Sequence, residues 1–184
     1  IVGTRHPSAY GIRTAGRFAS ELAARGLTIV SGLARGIDGE AHRAALRAKG
    51  RTIAVLGSGL DVIYPEEHRE LFAAISEAGA VVSEFPLGTE PAAFNFPRRN
   101  RVISGLSIGA LVVEASRRSG SLITASVAAE EGREVYVIPG PIDFLTSQGT
   151  NDLIQHGARL VTSPDEIIED LSPQIRPLVK LENE

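Results

Sequence analysis

The chain has 184 residues, 43% hydrophobic and 22% charged, which is enough apolar material for a buried core and excludes a disordered chain. It has no cysteine, and its four histidines (6, 42, 68 and 156) stand far apart, which excludes a disulfide framework and a thiolate metal site and leaves no zinc spacing. The net charge of −3 excludes a uniformly basic surface, although residues 164–184 carry six of the 22 acids, so the body is near neutral and any basic site is local.

In chain order, Ile1-Val2 reads as the end of a strand, followed by a helix at 11–25 that Gly26 stops and a strand at 27–30. A helix at 39–49 follows an Asp38 cap and ends at Gly50; a strand occupies 52–56. The next helix, 66–78, has Pro65 at its first turn and ends at Gly79, before a strand at 80–83. Residues 85–99 then form a 15-residue unstructured connection, a length that in a compact domain usually serves function. Beyond it come a strand at 110–113, a helix at 121–131 stopped by Gly132, a strand at 135–138, a short helical turn at 151–156, a strand at 159–161 and another turn at 165–171. The strands are rich in Val, Ile and Leu, and their alternation with helices predicts an α/β domain over 1–171 built on a mostly parallel sheet. The polar stretch 172–184 reads as a tail or linker, and the opening without a methionine as a domain taken from a longer protein. No apolar run reaches the roughly 20 residues of a spanning helix and no export signal opens the chain, so a cytoplasmic location with no membrane partner is expected.

Ligands of parallel sheets bind beyond the carboxyl ends of the strands. The segments there share one chemistry: Gly3-Thr4-Arg5, then SGLARGID at 31–38, then Gly57-Ser58-Gly59. They continue with NFPRRNR at 95–101, Ser116 to Ser121, and Pro139-Gly140-Pro141. Small residues let backbone amides approach an anion, and seven of the 17 arginines (5, 35, 98, 99, 101, 117 and 118) lie in four of these six loops. The 85–101 segment adds Phe85, Phe94 and Phe96, either as stacking platforms for unpaired bases or as an apolar cover folded under the loop.

Other chemistries fit less well. Gly57-Ser58-Gly59 departs from the dinucleotide fingerprint because Val62 takes the third glycine position and Tyr64-Pro65 delay the helix. Gly105-Leu106-Ser107-Ile108-Gly109 matches a nucleophile elbow in letters only, since a strand follows it. Glu84 and Glu114 are open to a catalytic role, ribose binding or pairing with a loop arginine, and no paired acid or base nominates a reaction. His6 and His68 read as surface or capping residues.

The strings SGLARGID (31–38), GSGLDVIYP (57–65), NFPRRNRVISGLS (95–107), SGSLITA (119–125), GREVYVIPGP (132–141) and GTNDLIQHGA (149–158) resemble the DNA-processing protein A family, also called DprA or Smf, over about residues 1–165. The resemblance implies an extended Rossmann-like fold with helices on both faces of the sheet, in a single domain. It implies a homodimer that binds single-stranded DNA, protects incoming strands during natural transformation and loads a RecA-type recombinase. It implies binding without catalysis and without a cofactor. The DNA-binding residues it implies here are Arg5, Ser31, Gly32, Arg35, Gly57, Ser58, Gly59, Phe96, Arg98, Arg99, Asn100, Arg101, Ser119, Gly120 and Ser121, with Phe96 on a base and Asn100 or Arg101 as alternative braces. Leu153 and Ile154, between Gly149 and Gly157, are the candidates for the dimer interface or, alternatively, pack against the sheet. The chain departs from the family at His68, where Asn is common, and at Glu66 and Glu67, where bases are common. The core also resembles the lysine-decarboxylase-like nucleotide phosphoribohydrolases, an enzyme alternative, but Val127 stands where their motif carries Glu.

Overall fold

The computed structural model describes residues 1–171 and 179. The elements follow as α1 (Ala9–Ala24), β1 (Ile29–Ser31), α2 (Ile37–Arg47), β2 (Thr52–Val55), a 3-10 turn (Glu66–His68), α3 (Arg69–Ala78), β3 (Ala80–Val82) and α4 (Asn95–Gly105). The second half adds β4 (Gly109–Val112), α5 (Ser121–Glu130), β5 (Glu134–Val137), α6 (Leu145–Gln155), β6 (Arg159–Leu160) and α7 (Pro164–Asp170).

The strands form two three-stranded parallel sheets, β1-β2-β3 and β4-β5-β6, where the sequence predicted one. Residues 1 and 2 join them edge to edge: the Ile1 nitrogen donates to the Val30 carbonyl at 2.9 Å, and Val2 bridges to Val112 in parallel. The chain therefore leaves this centre in opposite directions for β1 and β4, which makes a topological switch point beside Gly3.

Alternation along the strands sorts side chains to two faces. Leu111, Val113, Tyr136 and Ile138 pack with α1, α2 and α7 on one face. Ala110, Val112, Val135 and Val137 pack with Ile103 of α4, Ala125 and Ala128 of α5, and the half-buried Leu153 and Ile154 of α6 on the other. A third cluster seats Leu71 and Ile75 of α3 on Ala54 and Leu56. Helices thus cover both faces.

Three local expectations are corrected. The 85–99 connection is not unstructured throughout, because α4 begins at Asn95 with Pro97 in its first turn, where a missing amide hydrogen costs nothing. α6 runs straight through Gly149 instead of starting after it; a Cβ there would lie 2.7 Å from the Ala115 and Ser116 carbonyls, so this glycine permits a close approach and does not break the helix. Asp38 is not the cap of α2. Gly36, at φ +75°, precedes the helix, and the Asp38 carboxylate instead accepts the Gly32 amide at 3.0 Å. The 172–184 tail lies outside the described residues apart from Val179.

Candidate nucleic-acid interface

Two concavities share a wall at the switch point. One is lined by Arg5, Gly32, Arg35, Gly57, Ser58, Tyr64 and Phe96. The other, of about 330 Å³, is lined by Gly3, Arg5, Phe96, Arg99, Asn100 and the Ser119-Gly120-Ser121 turn, among others. Arg5 and Phe96 belong to both. The exposed Arg5 guanidinium sits 5.1 Å from the Phe96 ring centroid, a distance at which the ring quadrupole holds a cation over its face. Phe96 lies close because Gly57 has no side chain: a Cβ there would come within 2.8 Å of the ring. Tyr64, which the sequence reading passed over, tilts against Phe96 with ring centroids 5.8 Å apart and lines the first concavity. An aromatic five residues past Gly59, just before the delayed helix, is the available signal.

The expected arginines divide by burial. Arg99 is 5% exposed, and its Nη1 donates to the carbonyls of Gly32 (2.8 Å) and Val55, while Nε donates to Asn100 Oδ1 at 3.2 Å. Burial lowers its pKa to about 10, so it remains a cation at neutral pH, with the Asp38 carboxylate opposing that shift. A Cβ on Gly32 would meet both Arg99 Nη2 at 2.5 Å and Asp38 Oδ2 at 2.7 Å, so the two charges meet around this glycine. Arg99 is therefore a strut beneath the 31–38 loop, and the brace expected of Asn100 or Arg101 falls mainly to it.

Arg35 is exposed and forks onto Glu67, with Nη2 2.8 Å from Oε2. That bond raises the Arg35 pKa and holds the Glu67 carboxyl below its ordinary range. Arg101 pairs with Glu84 and lines neither concavity, and Arg117 pairs with Asp152, whose carboxyl the bond likewise lowers. Arg98 is exposed beside Phe85, 5.8 Å from its ring.

The small residues divide as well. Ser31 is buried and donates to the Ile1 carbonyl (2.6 Å), and Ser58 donates to the Val62 carbonyl (2.8 Å). Both hydroxyls are spent on the scaffold. Gly59 lies against the Pro86 carbonyl and lines neither concavity, whereas Ser119 and Ser121 share one hydroxyl bond of 2.7 Å at the start of α5. His68 is not a surface residue: it is buried at the N-cap position of α3, and its side chain, instead of bonding that helix, donates from Nδ1 to the Leu33 carbonyl at 2.9 Å. Of the two open carboxylates, Glu84 does pair with a loop arginine. Glu114 instead accepts the Ser8 amide (2.9 Å) and hydroxyl (2.6 Å), while that hydroxyl caps α1 through the Gly11 amide. Among the described residues no cluster of His, Cys, Asp or Glu could hold a metal ion, and no helix is long and apolar enough to cross a membrane.

With arginines, small residues and an aromatic ring brought together at its switch point, the fold falls in the class of doubly wound α/β domains, whose ligand position lies at that point. Within that class, residues 1–172 match the family model of DNA recombination-mediator protein A, and the chain belongs to that family. It is 59% identical over 172 residues to Protein Smf of Escherichia coli, a match covering 93% of this chain and 46% of the relative. Its fold superposes with a TM-score of 0.87 on DNA processing protein A from Streptococcus pneumoniae, at 46% identity, covering 93% of this chain and 60% of that one. DNA processing protein A from Helicobacter pylori, whose structure addresses its single-stranded DNA binding mode, gives a TM-score of 0.84 at 32% identity, covering 91% and 76%. The chain thus spans about half the length of curated relatives such as Smf.

Proposed function

We propose that the shared wall of the two concavities binds single-stranded DNA with little sequence preference. The observation that carries this is Arg5 over Phe96, which joins a phosphate donor to a stacking surface at the point where both clefts open. Gly57 and Gly120 supply backbone amides, Gly32, whose own amide is held by Asp38, keeps the cleft floor free of a side chain, Arg35 and Arg98 extend the cationic edge, and Asn100, Ser119 and Ser121 line the second cleft. Arg99, Ser31, Ser58 and Gly59 hold the frame, and Arg101 lies outside it. Binding without turnover is supported by engagement of the nearby carboxylates, Glu114 by Ser8 and Asp38 by Gly32.

In the whole protein this domain protects incoming strands during natural transformation and passes them to a RecA-type recombinase in the cytoplasm, as a homodimer. Family membership supports that role; Leu153 and Ile154 are half-buried against the sheet, which leaves their dimer contact to be decided by light scattering of Leu153→Arg. The test of DNA binding is fluorescence anisotropy of a labelled oligothymidylate at low and moderate salt. Salt-dependent binding displaced by single strands but not by duplex or nucleoside monophosphate is expected. Displacement by nucleotide, with release of its base, would instead identify a phosphoribohydrolase.

A further inference from the structure

The cationic edge carries its own anion. Arg35 presents its Nε and Nη2 side by side to the two oxygens of Glu67. That planar edge is the one with which a guanidinium grips two phosphate oxygens. The arrangement is built into the scaffold. Glu67 lies in the 3-10 turn Glu66–His68, and the next residue, His68, is buried and bonded to the Leu33 carbonyl, two residues before Arg35. This tie fixes the turn that carries Glu67, whose carboxylate thereby stands within reach of Arg35, which lines the cleft with Arg5, Tyr64 and Phe96. Both partners are about half exposed, at 48% and 51%, so the pair is reached by solvent and by a passing strand, and breaking it costs little.

Resting on the single-strand reading, we propose that Glu67 is a built-in competitor for DNA phosphate. It occupies Arg35 in the free protein as a phosphate would, and so sets both the strength and the salt dependence of binding. When a phosphate displaces it, the freed carboxylate gathers a cation, which offsets one counterion that the strand releases. The exchange keeps the edge from holding polyanions too tightly to hand them on.

The experiment uses the 184-residue chain and a labelled oligothymidylate, with binding measured from low to moderate salt. Glu67→Gln is expected to bind about two- to five-fold tighter, with a log–log salt slope steeper by about 0.7. In an Arg35→Ala background, Glu67→Gln is expected to leave that slope unchanged. This separates exchange at Arg35 from the general loss of one negative charge. Glu67→Gln binding no tighter than the parent, or a slope change that persists without Arg35, overturns the competitor while leaving single-strand binding intact. Failure of both the parent and Glu67→Gln to bind overturns the single-strand reading and the competitor with it.

Discussion

The two halves of the strand edge use the same alphabet of glycine, serine and arginine to different ends. At the β1–β3 half, the exposed Arg5 and Arg98 lie over aromatic rings, and a buried layer of Arg99, Asp38 and His68 ties the loops from below. At the β4–β6 half, Arg117 is bound to Asp152 and the Ser119 and Ser121 hydroxyls share one hydrogen bond. Beyond them Ile142 and Leu145, 83% and 71% exposed, replace charge with apolar surface. What separates an arginine left open to solvent from one that supports a loop is cover, not sequence neighbourhood: Arg98 and Arg99 are adjacent, the first exposed and the second buried. The β1–β3 half is thus expected to hold both the rigidity and most of the affinity.

The largest effect expected from breaking this asymmetry is at Arg99. Arg99→Met removes the cation from two carbonyls and leaves Asp38 buried without it, which costs about 3–5 kcal/mol of stability. Urea denaturation measures this, and an unchanged midpoint would return Arg99 to the ligand-contacting group.

Next in size is acid sensitivity centred on His42. Thr52 Oγ1 donates to the Ile29 carbonyl (2.7 Å), so the 2.6 Å contact with His42 Nδ1 is donated by the imidazole, and Nε2 is left buried without a partner among the described residues. Burial lowers the His42 pKa from 6.5 to about 3, with the nearby cations adding to it. Below pH 6.5 the unfolded chain takes up a proton that the folded state refuses. Stability present above that pH is therefore lost as the pH falls toward 3, by about 3 kcal/mol at pH 4. His42→Leu is expected to flatten that part of the profile; an unaltered pH dependence would assign the acid sensitivity to other groups.

Smaller again are the losses in binding. Phe96→Ala is expected to weaken oligothymidylate binding by about 1–3 kcal/mol without unfolding the chain, because the ring is only half-buried and belongs to none of the three core clusters. Arg5→Ala is expected to lower the salt slope by about 0.7. A large loss of affinity with no change in slope for Arg5→Ala would make it a support for the ring and not a phosphate donor.

Much of this architecture was legible because apolar strands and glycine-stopped helices are written in single-residue signals. β2, β5 and α5 fall within a residue or two of their expected ends. The helix α4 was hidden because its buried face is polar: Asn95, Arg99, Asn100, Ile103 and Ser104 recur at helical spacing, yet only one of them is apolar. The same encoding concealed the role of Arg99, since a sequence pattern shows that a guanidinium is present but not which carbonyls close over it. Arg5 and Phe96, 91 positions apart, share both concavities, a proximity that no local pattern encodes and only the family resemblance suggests, and the Arg35–Glu67 fork appears in no sequence pattern at all.

The smallest effect sharpens the comparison most, because it tests the half expected to matter less. Ser119 and Ser121 line the second cleft with hydroxyls that share one hydrogen bond, so only one of their two O–H groups is left to exchange water for a phosphate there. The net value of such an exchange is small. Ser119→Ala is accordingly expected to weaken single-strand binding no more than about three-fold, with the salt slope unchanged because no cation is removed. A ten-fold or greater loss would move the centre of the interface to the start of α5, where backbone amides at the helix N-terminus would then be the principal phosphate donors, and Arg5 and Phe96 would become the flank of the site.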